Sequence, residues 1–94
     1  MTKDEQIMRA VAVVILRGKT TFTRNDIHRT LGVGKVAWDN EYSPRFQGMR
    51  VDEPGGAPNV GGKWKDVFQR IERGQYQLTP YGLKLLCDLV GPRL

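Results

Sequence analysis

The chain has 94 residues, of which 39% are apolar and 27% are charged, a composition typical of one globular domain rather than of a disordered segment. Fifteen basic against ten acidic residues give a formal net charge of +5, which favours an anionic partner. The single cysteine excludes an internal disulfide and a cysteine-rich zinc site, and the longest apolar run, Ala10 to Leu16, is too short to cross a bilayer. We therefore expect one cytoplasmic domain over residues 1–94, with its core within about residues 3–90 and no membrane partner.

The first predicted element is a helix over residues 3–17. Thr2 and Glu5 have the spacing of a capping box, and apolar residues then recur at helical intervals. The β-branched run within residues 11–15 is also compatible with a strand, but the upstream cap favours the helix. The short stretch of residues 20–22 that follows is β-prone.

A second helix is predicted over residues 24–31. Thr23 is a good N-cap, and Asp26 follows it at the third position. Glycines then end the helix, and residues 35–42 are again helical in character. Two helices joined by a short glycine-containing turn have the pattern of a helix-turn-helix.

A change in composition follows at Ser43-Pro44. Ser is a good N-cap and Pro is favoured at the first helical position, so these residues predict a fresh or kinked helical segment from Pro44 to Arg50. Residues 51–64 are rich in glycine and proline, which predicts a long flexible loop.

A β-hairpin is predicted within residues 66–79, with a tight turn at Arg73-Gly74. Glycine supplies the positive φ that such a turn requires. Tyr76 and Leu78 alternate with polar residues and so share one face of the second strand. The alternation in the first strand is less regular, which allows a bulge or a register offset.

A final helix is predicted to start at Thr79-Pro80 and to end at Gly91. The order of elements is helix, short strand, two helices, loop, hairpin and helix. This order predicts an α+β fold of the winged helix-turn-helix type. It has a three-helix core, a hairpin wing towards the C-terminus and a last helix.

A resemblance to a known family supports this fold. The string from Arg73 to Gly82, RGQYQLTPYG, resembles the wing of the N-terminal domain of Mrr-type restriction endonucleases. The stretch from Phe46 to Pro58 further resembles small winged-helix modules attached to restriction enzymes. The likeness covers roughly residues 21–82. It implies a prokaryotic module that binds double-stranded DNA, either in a restriction or defence system or as a small regulator of transcription.

The sequence does not predict catalysis. A nuclease of the PD-(D/E)xK type needs an acid followed two residues later by lysine, and none of the ten acids here has lysine at that offset. His28 is expected at the surface or in a cap, and Cys87 is expected as a buried, inert thiol among leucines. We expect a non-catalytic module with no cofactor and no metal.

Two groups of side chains are the candidate DNA-binding residues. The segment of residues 43–50 contains bases and no acid, so its helix is expected to face the duplex. The second group lies on the wing and just before it, where it would neutralise phosphates. The candidates are Arg45, Gln47, Arg50, Lys63, Lys65, Arg70 and Arg73. Contact with about five phosphates would give a slope of log K against log salt of about −4 to −5.

Each group also has a purely structural interpretation. Arg45 and Arg50 would then be ordinary helix surface or would pair with Asp52 and Glu53, and the basic residues of the hairpin would protect an edge strand from aggregation. Trp64 and Tyr81 are expected to pack rather than to stack on bases.

A second hypothesis is a protein-interaction module. The apolar face of residues 83–90 is broader than one small core requires, so a homodimer could form through the first and last helices. Size measurements at several concentrations together with a duplex titration distinguish the two hypotheses.

Overall fold

The computed structural model describes residues 2–51 and 62–91, and it shows an α+β chain with four helices, an antiparallel hairpin and a final helix. The helices are α1 (Lys3–Leu16), α2 (Arg24–Leu31), α3 (Lys35–Ala37), α4 (Ser43–Gly48) and α5 (Pro80–Val90). The hairpin strands are β1 (Phe68–Glu72) and β2 (Gln75–Leu78). Most of the loop predicted for residues 51–64 lies outside the described residues, but Gly62–Trp64 forms a turn of 3-10 helix.

The first two helices begin where their capping residues predict. The Thr2 hydroxyl oxygen accepts a hydrogen bond from the Glu5 amide at 3.2 Å. In α2 the cap is reciprocal, because Thr23 Oγ1 accepts from the Asp26 amide and Asp26 Oδ2 accepts from the Thr23 amide, each at 3.0 Å. These bonds satisfy amide groups that have no partner within the helix.

The buried Asp26 carboxylate is the basis of a prediction on acid stability. Burial alone would raise the pKa of Asp26, but hydrogen bonds from the Thr23 amide and from Lys19 outweigh it and hold the pKa below its ordinary value. A carboxyl group with a lowered pKa stabilises the fold above its unfolded-state pKa, and this contribution is lost as the pH falls through the folded-state pKa. We expect Asp26→Asn to lower the free energy of unfolding by about 1 kcal/mol at neutral pH.

Urea titrations between about pH 7 and about pH 2 check this prediction, since the difference between Asp26→Asn and the parent chain should shrink in acid. Asp39→Asn is the matched control, because Asp39 forms an exposed pair with Lys35 on the helix surface. A difference that stayed constant over the whole pH range would contradict the role given to the carboxylate.

The segment from α3 to α4 is one helical stretch, so of the two expected alternatives the structure excludes a fresh helix capped by Ser43. Ser43 has φ −58° and ψ −44°, which are helical values, and α4 has no side-chain cap. Between α3 and α4, Trp38–Tyr42 forms a π-helical turn, in which the Ser43 amide donates to the Trp38 carbonyl. A widened turn beside Pro44 accommodates the missing proline N–H without ending the helix.

The hairpin has the predicted turn and an irregular register. Gly74 has φ 78°, and the pairing of β1 with β2 shifts between Arg70 and Glu72, at the strand whose alternation was less regular. The outer edge of β2 is bonded to Phe22 by two hydrogen bonds of 2.9 Å to Tyr76.

The outer edge of β1 is also occupied, because the Val51 amide donates to the Phe68 carbonyl at 2.8 Å. The base of the hairpin is therefore held on both sides, while its tip extends beyond these bonds.

An aromatic cluster joins the hairpin to the helices. The Phe46 ring on α4 lies 5.0 Å, centroid to centroid, from both Phe68 and Tyr76, and Phe22 lies 5.3 Å from Phe68. All four side chains are buried. Contacts of this kind stabilise the fold beyond the burial of apolar area, and here they fix the hairpin against α4.

Candidate nucleic-acid interface

The hairpin carries exposed basic side chains on β1 and in its turn. Arg70 lies on β1 opposite Tyr76, and Arg73 precedes Gly74 in the turn; both arginines are exposed. Ile71, between them, is 48% exposed, so an apolar side chain also lies at the tip. The structure thus places the two predicted wing arginines on one projecting ribbon.

Lys63 and Lys65 precede the base of the same hairpin and are exposed. The Lys63 ammonium group lies 5.1 Å from the centroid of the Trp64 ring, and the Lys63 carbonyl accepts a hydrogen bond of 2.7 Å from the Tyr81 hydroxyl. Trp64 is buried, as predicted for a packing residue, and Tyr81 is exposed but bound through its hydroxyl. The backbone at Lys63 is therefore attached to the N-terminal turn of α5.

Gln47 and Arg50 contact each other beside the sheet. An Arg50 guanidinium N–H donates to Gln47 Oε1 at 2.7 Å, and the guanidinium carbon lies 5.5 Å from the centroid of the Tyr76 ring. Arg50 is only 8% exposed, whereas Gln47 is half-buried. Because Arg70 pairs with Tyr76 across the hairpin, Gln47, Arg50 and Arg70 lie in one region, but the surface of that region is formed by Gln47 and Arg70.

Arg45 lies apart from the other candidates. Its guanidinium group forms an ion pair of 3.2 Å with Asp4, a buried carboxylate in the first turn of α1. The segment around Arg45 contains no acid, but the fold brings one from a distant part of the chain. Its charge is therefore largely balanced within the fold, which weakens it as a phosphate contact.

Arg24 is a basic residue that the sequence did not single out. It opens α2, and its guanidinium carbon lies 5.9 Å from the centroid of the Phe46 ring. Phe46 also contacts Tyr76, so Arg24 lies at the same aromatic cluster as Arg50. Nothing in its local sequence indicates this position, which follows only from the packing of α2 against α4 and the sheet.

The ion pairs among the described residues involve the helices and Lys19 but not the hairpin, although some basic residues of the helical part also form none, namely Arg9, Arg17, Arg24 and Lys84. Within residues 2–51 and 62–91, each of the acids Asp4, Asp26, Asp39 and Glu41 pairs with a helix residue or with Lys19. The basic residues of the hairpin and its approach form no ion pair in that part of the chain; these are Lys63, Lys65, Arg70 and Arg73. Their charges are therefore available to an external anion.

The two residues whose side chains could take part in catalysis, His28 and Cys87, lie in different surroundings. The His28 ring stacks on Trp38 at 5.0 Å, and His28 Nε2 lies 2.9 Å from the Val33 carbonyl oxygen, so the ring is half-buried rather than on the open surface. Cys87 was expected to be buried but is exposed, because it lies on the outer side of α5. Among the described residues, no group of three His, Cys, Asp or Glu side chains could hold a metal ion.

Comparisons of the chain with protein-family models, with curated proteins and with solved structures found no match. Of the helices within the described ranges, none combines the length and the apolar character that crossing a membrane requires. The candidate interface therefore rests on the hairpin geometry and on the distribution of charge around it.

Proposed function

We propose that this chain is a winged helix-turn-helix module that binds double-stranded DNA without catalysing a reaction. The single observation that carries the proposal is the set of exposed basic residues on the hairpin and its approach, which form no ion pair within the described chain. The order of elements supports the fold, since a strand residue between α1 and α2, Phe22, pairs with β2 and the hairpin follows α4. A resemblance to restriction-enzyme modules suggests the same role.

In this proposal the hairpin provides the main phosphate contacts. Arg70 and Arg73 would lie along the DNA backbone, with Lys63 and Lys65 at the base of the ribbon. Gln47 supplies a side chain beside the ribbon, while Arg50 holds Gln47 and supports Tyr76 rather than binding DNA itself. Arg45 is assigned a minor part because Asp4 balances it.

A salt titration tests the proposal. With four phosphate contacts, log K for a short duplex of arbitrary sequence should fall with log salt at a slope of about −3.6. The double variant Arg70→Ala/Arg73→Ala should reduce the magnitude of that slope by about 2, because each lost contact removes about 1. Fluorescence anisotropy of a labelled duplex at several salt concentrations measures both slopes.

The control is Lys84→Ala, which removes an exposed base from α5 and leaves the basic residues of the hairpin and its approach unchanged. Its slope should equal that of the parent chain. A double variant with an unchanged slope, or a control that lost as much, would show that the hairpin is not the DNA-binding element.

A second candidate function is favoured by exposed apolar side chains on the first and last helices. Leu16 is 65% exposed and Leu83 is 49% exposed. A groove of about 760 Å³ lies where the end of α1, the hairpin and the start of α5 meet, and its lining includes the apolar residues Ile15, Leu78 and Pro80. Self-association through this groove would give a homodimer.

Light scattering over a wide concentration range tests the dimer. If dimerisation is the function, the mass should double with concentration, Leu83→Gln should prevent the doubling, and duplex should have no effect. A monomer at all concentrations that binds duplex excludes this second function.

A further inference from the structure

We infer that the groove between α1 and α2 binds an acidic, leucine-rich segment of a partner protein. The groove consists of two adjoining hollows of about 530 and 290 Å³ that share Val13 and Thr30 in their walls. From Arg9 to Arg17 along α1 it spans about 12 Å, or about two turns of a docked helix. This site is distinct from the hairpin, so it does not depend on the proposed DNA binding.

The rims of the groove are basic. Arg9, Arg17, Lys19 and Arg29 all line it. Arg9 and Arg17 form no ion pair with any residue in the described ranges, and both are exposed. The cations therefore outnumber the acids at this surface, which favours an anionic occupant.

Asp26 is the one acid among the described lining residues, and both of its carboxylate oxygens already accept hydrogen bonds. Its side chain is 9% exposed, and its two oxygens accept hydrogen bonds from Lys19 Nζ, each at 3.2 Å. Arg29 and the Thr23 amide donate to the same carboxylate. Because one carboxylate neutralises only one of the two cations that it contacts, the groove keeps a net positive charge.

The floor of the groove includes apolar side chains between the basic rims, which favours a peptide over a simple polyanion. Ala10, Val14 and Leu31 lie in its walls, and Val13, which joins the two hollows, is 37% exposed. A segment that alternates acidic and leucine side chains would place carboxylates on Arg9 and Arg17 and leucines against Val13. A duplex has no apolar side chain to fill such a floor.

Two synthetic peptides test the inference: one in which pairs of glutamate alternate with pairs of leucine, and a matched peptide with glutamine in place of glutamate. We expect the acidic peptide to bind and to shift the amide resonances of α1 and α2. The glutamine peptide should bind at least about fivefold more weakly, and Arg9→Ala/Arg17→Ala should weaken the acidic peptide by about the same factor. Since neither arginine forms an ion pair in the described chain, the variant should fold normally. Lys84→Glu, at an exposed residue of α5 outside the groove, is the control, because it lowers the net charge by the same amount.

Every other outcome overturns the inference. These outcomes are no binding, equal binding of the two peptides, resonance shifts confined to the hairpin, or equal effects of the arginine variant and the control. Displacement of the peptide by duplex DNA would assign the groove to a nucleic acid. A mass that doubles with concentration and depends on Arg9 and Arg17 would assign it to a second copy. Failure of DNA binding at the hairpin leaves the peptide result intact, so the two proposals are tested separately.

Discussion

Replacing Gly82 by alanine is expected to lower the free energy of unfolding by about 3 kcal/mol. Gly82 is a buried residue in the first turn of α5, where the helix passes directly over the backbone of Val67. A Cβ atom at this position would overlap the Val67 carbonyl oxygen and would lie 2.9 Å from its carbonyl carbon. The substitution therefore pushes α5 away from the backbone that leads into β1.

The Val67 backbone has little freedom to move aside. Its carbonyl oxygen accepts from the Thr79 amide at 3.1 Å, and its own amide donates to the Met49 carbonyl at 3.0 Å. Relief of the clash would break one of these hydrogen bonds inside the protein, which costs about as much as the overlap itself. For a domain of this size the melting temperature should fall by roughly 15 °C, which differential scanning calorimetry measures.

Gly62→Ala is the control for this prediction. A Cβ built on Gly62 meets no atom of the described residues within 4 Å, so this variant should melt within about 2 °C of the parent chain. Equal melting temperatures for the Gly82 and Gly62 variants would show that α5 does not sit against Val67 as closely as the structure indicates.

Local sequence signals predicted the elements well, because each signal is a short-range one. The caps at Thr2 and Thr23 set the starts of α1 and α2, and Gly74 takes the positive φ expected of the hairpin turn. The irregular alternation in β1 corresponds to the register shift after Arg70. The exception is Ser43, which does not begin a new helix. The π-helical turn before it continues the helix past Pro44, because the Ser43 amide donates to the Trp38 carbonyl in that preceding turn.

The candidate site was harder to predict, because ion pairs and packing are long-range. Arg45 was selected for an acid-free neighbourhood, yet Asp4, forty-one positions away in the chain, pairs with it. Arg50 is buried under the edge of the sheet by its contact with Tyr76, which the sequence spacing does not reveal. Arg70 and Arg73 were predictable as exposed, since a hairpin turn places its neighbours in solvent. The exposure of Cys87 was also not predictable from its neighbours in sequence, because those apolar residues lie on other sides of α5.

Phe46→Ala is the second large effect that we expect, a loss of about 4 kcal/mol in the free energy of unfolding. Phe46 is fully buried, and its ring contacts Phe68 and Tyr76 as well as the guanidinium of Arg24. Removing the ring leaves a cavity where α4 meets both hairpin strands, and those strands cannot close it without breaking their edge hydrogen bonds. Urea titration measures the loss, and Leu83→Ala, at a residue 49% exposed, should cost at most about 0.5 kcal/mol.

The position of this cavity gives a second readout that a general loss of stability would not produce. The Tyr76 amide donates to the Phe22 carbonyl at 2.9 Å and holds the outer edge of β2, whereas the Ile27 amide donates to the Thr23 carbonyl at the start of α2 and takes no part in the hairpin. Under conditions where Phe46→Ala stays folded, hydrogen exchange at the Tyr76 amide should accelerate more than exchange at the Ile27 amide. In the parent chain, local opening of the hairpin must break the contacts of the Phe46 ring, and in the variant these contacts are missing. Equal acceleration at the two amides would mean that Phe46 stabilises the whole domain without holding the hairpin in place. The basic ribbon would then have no fixed orientation relative to Gln47, and the DNA-binding surface proposed above would lose its structural basis.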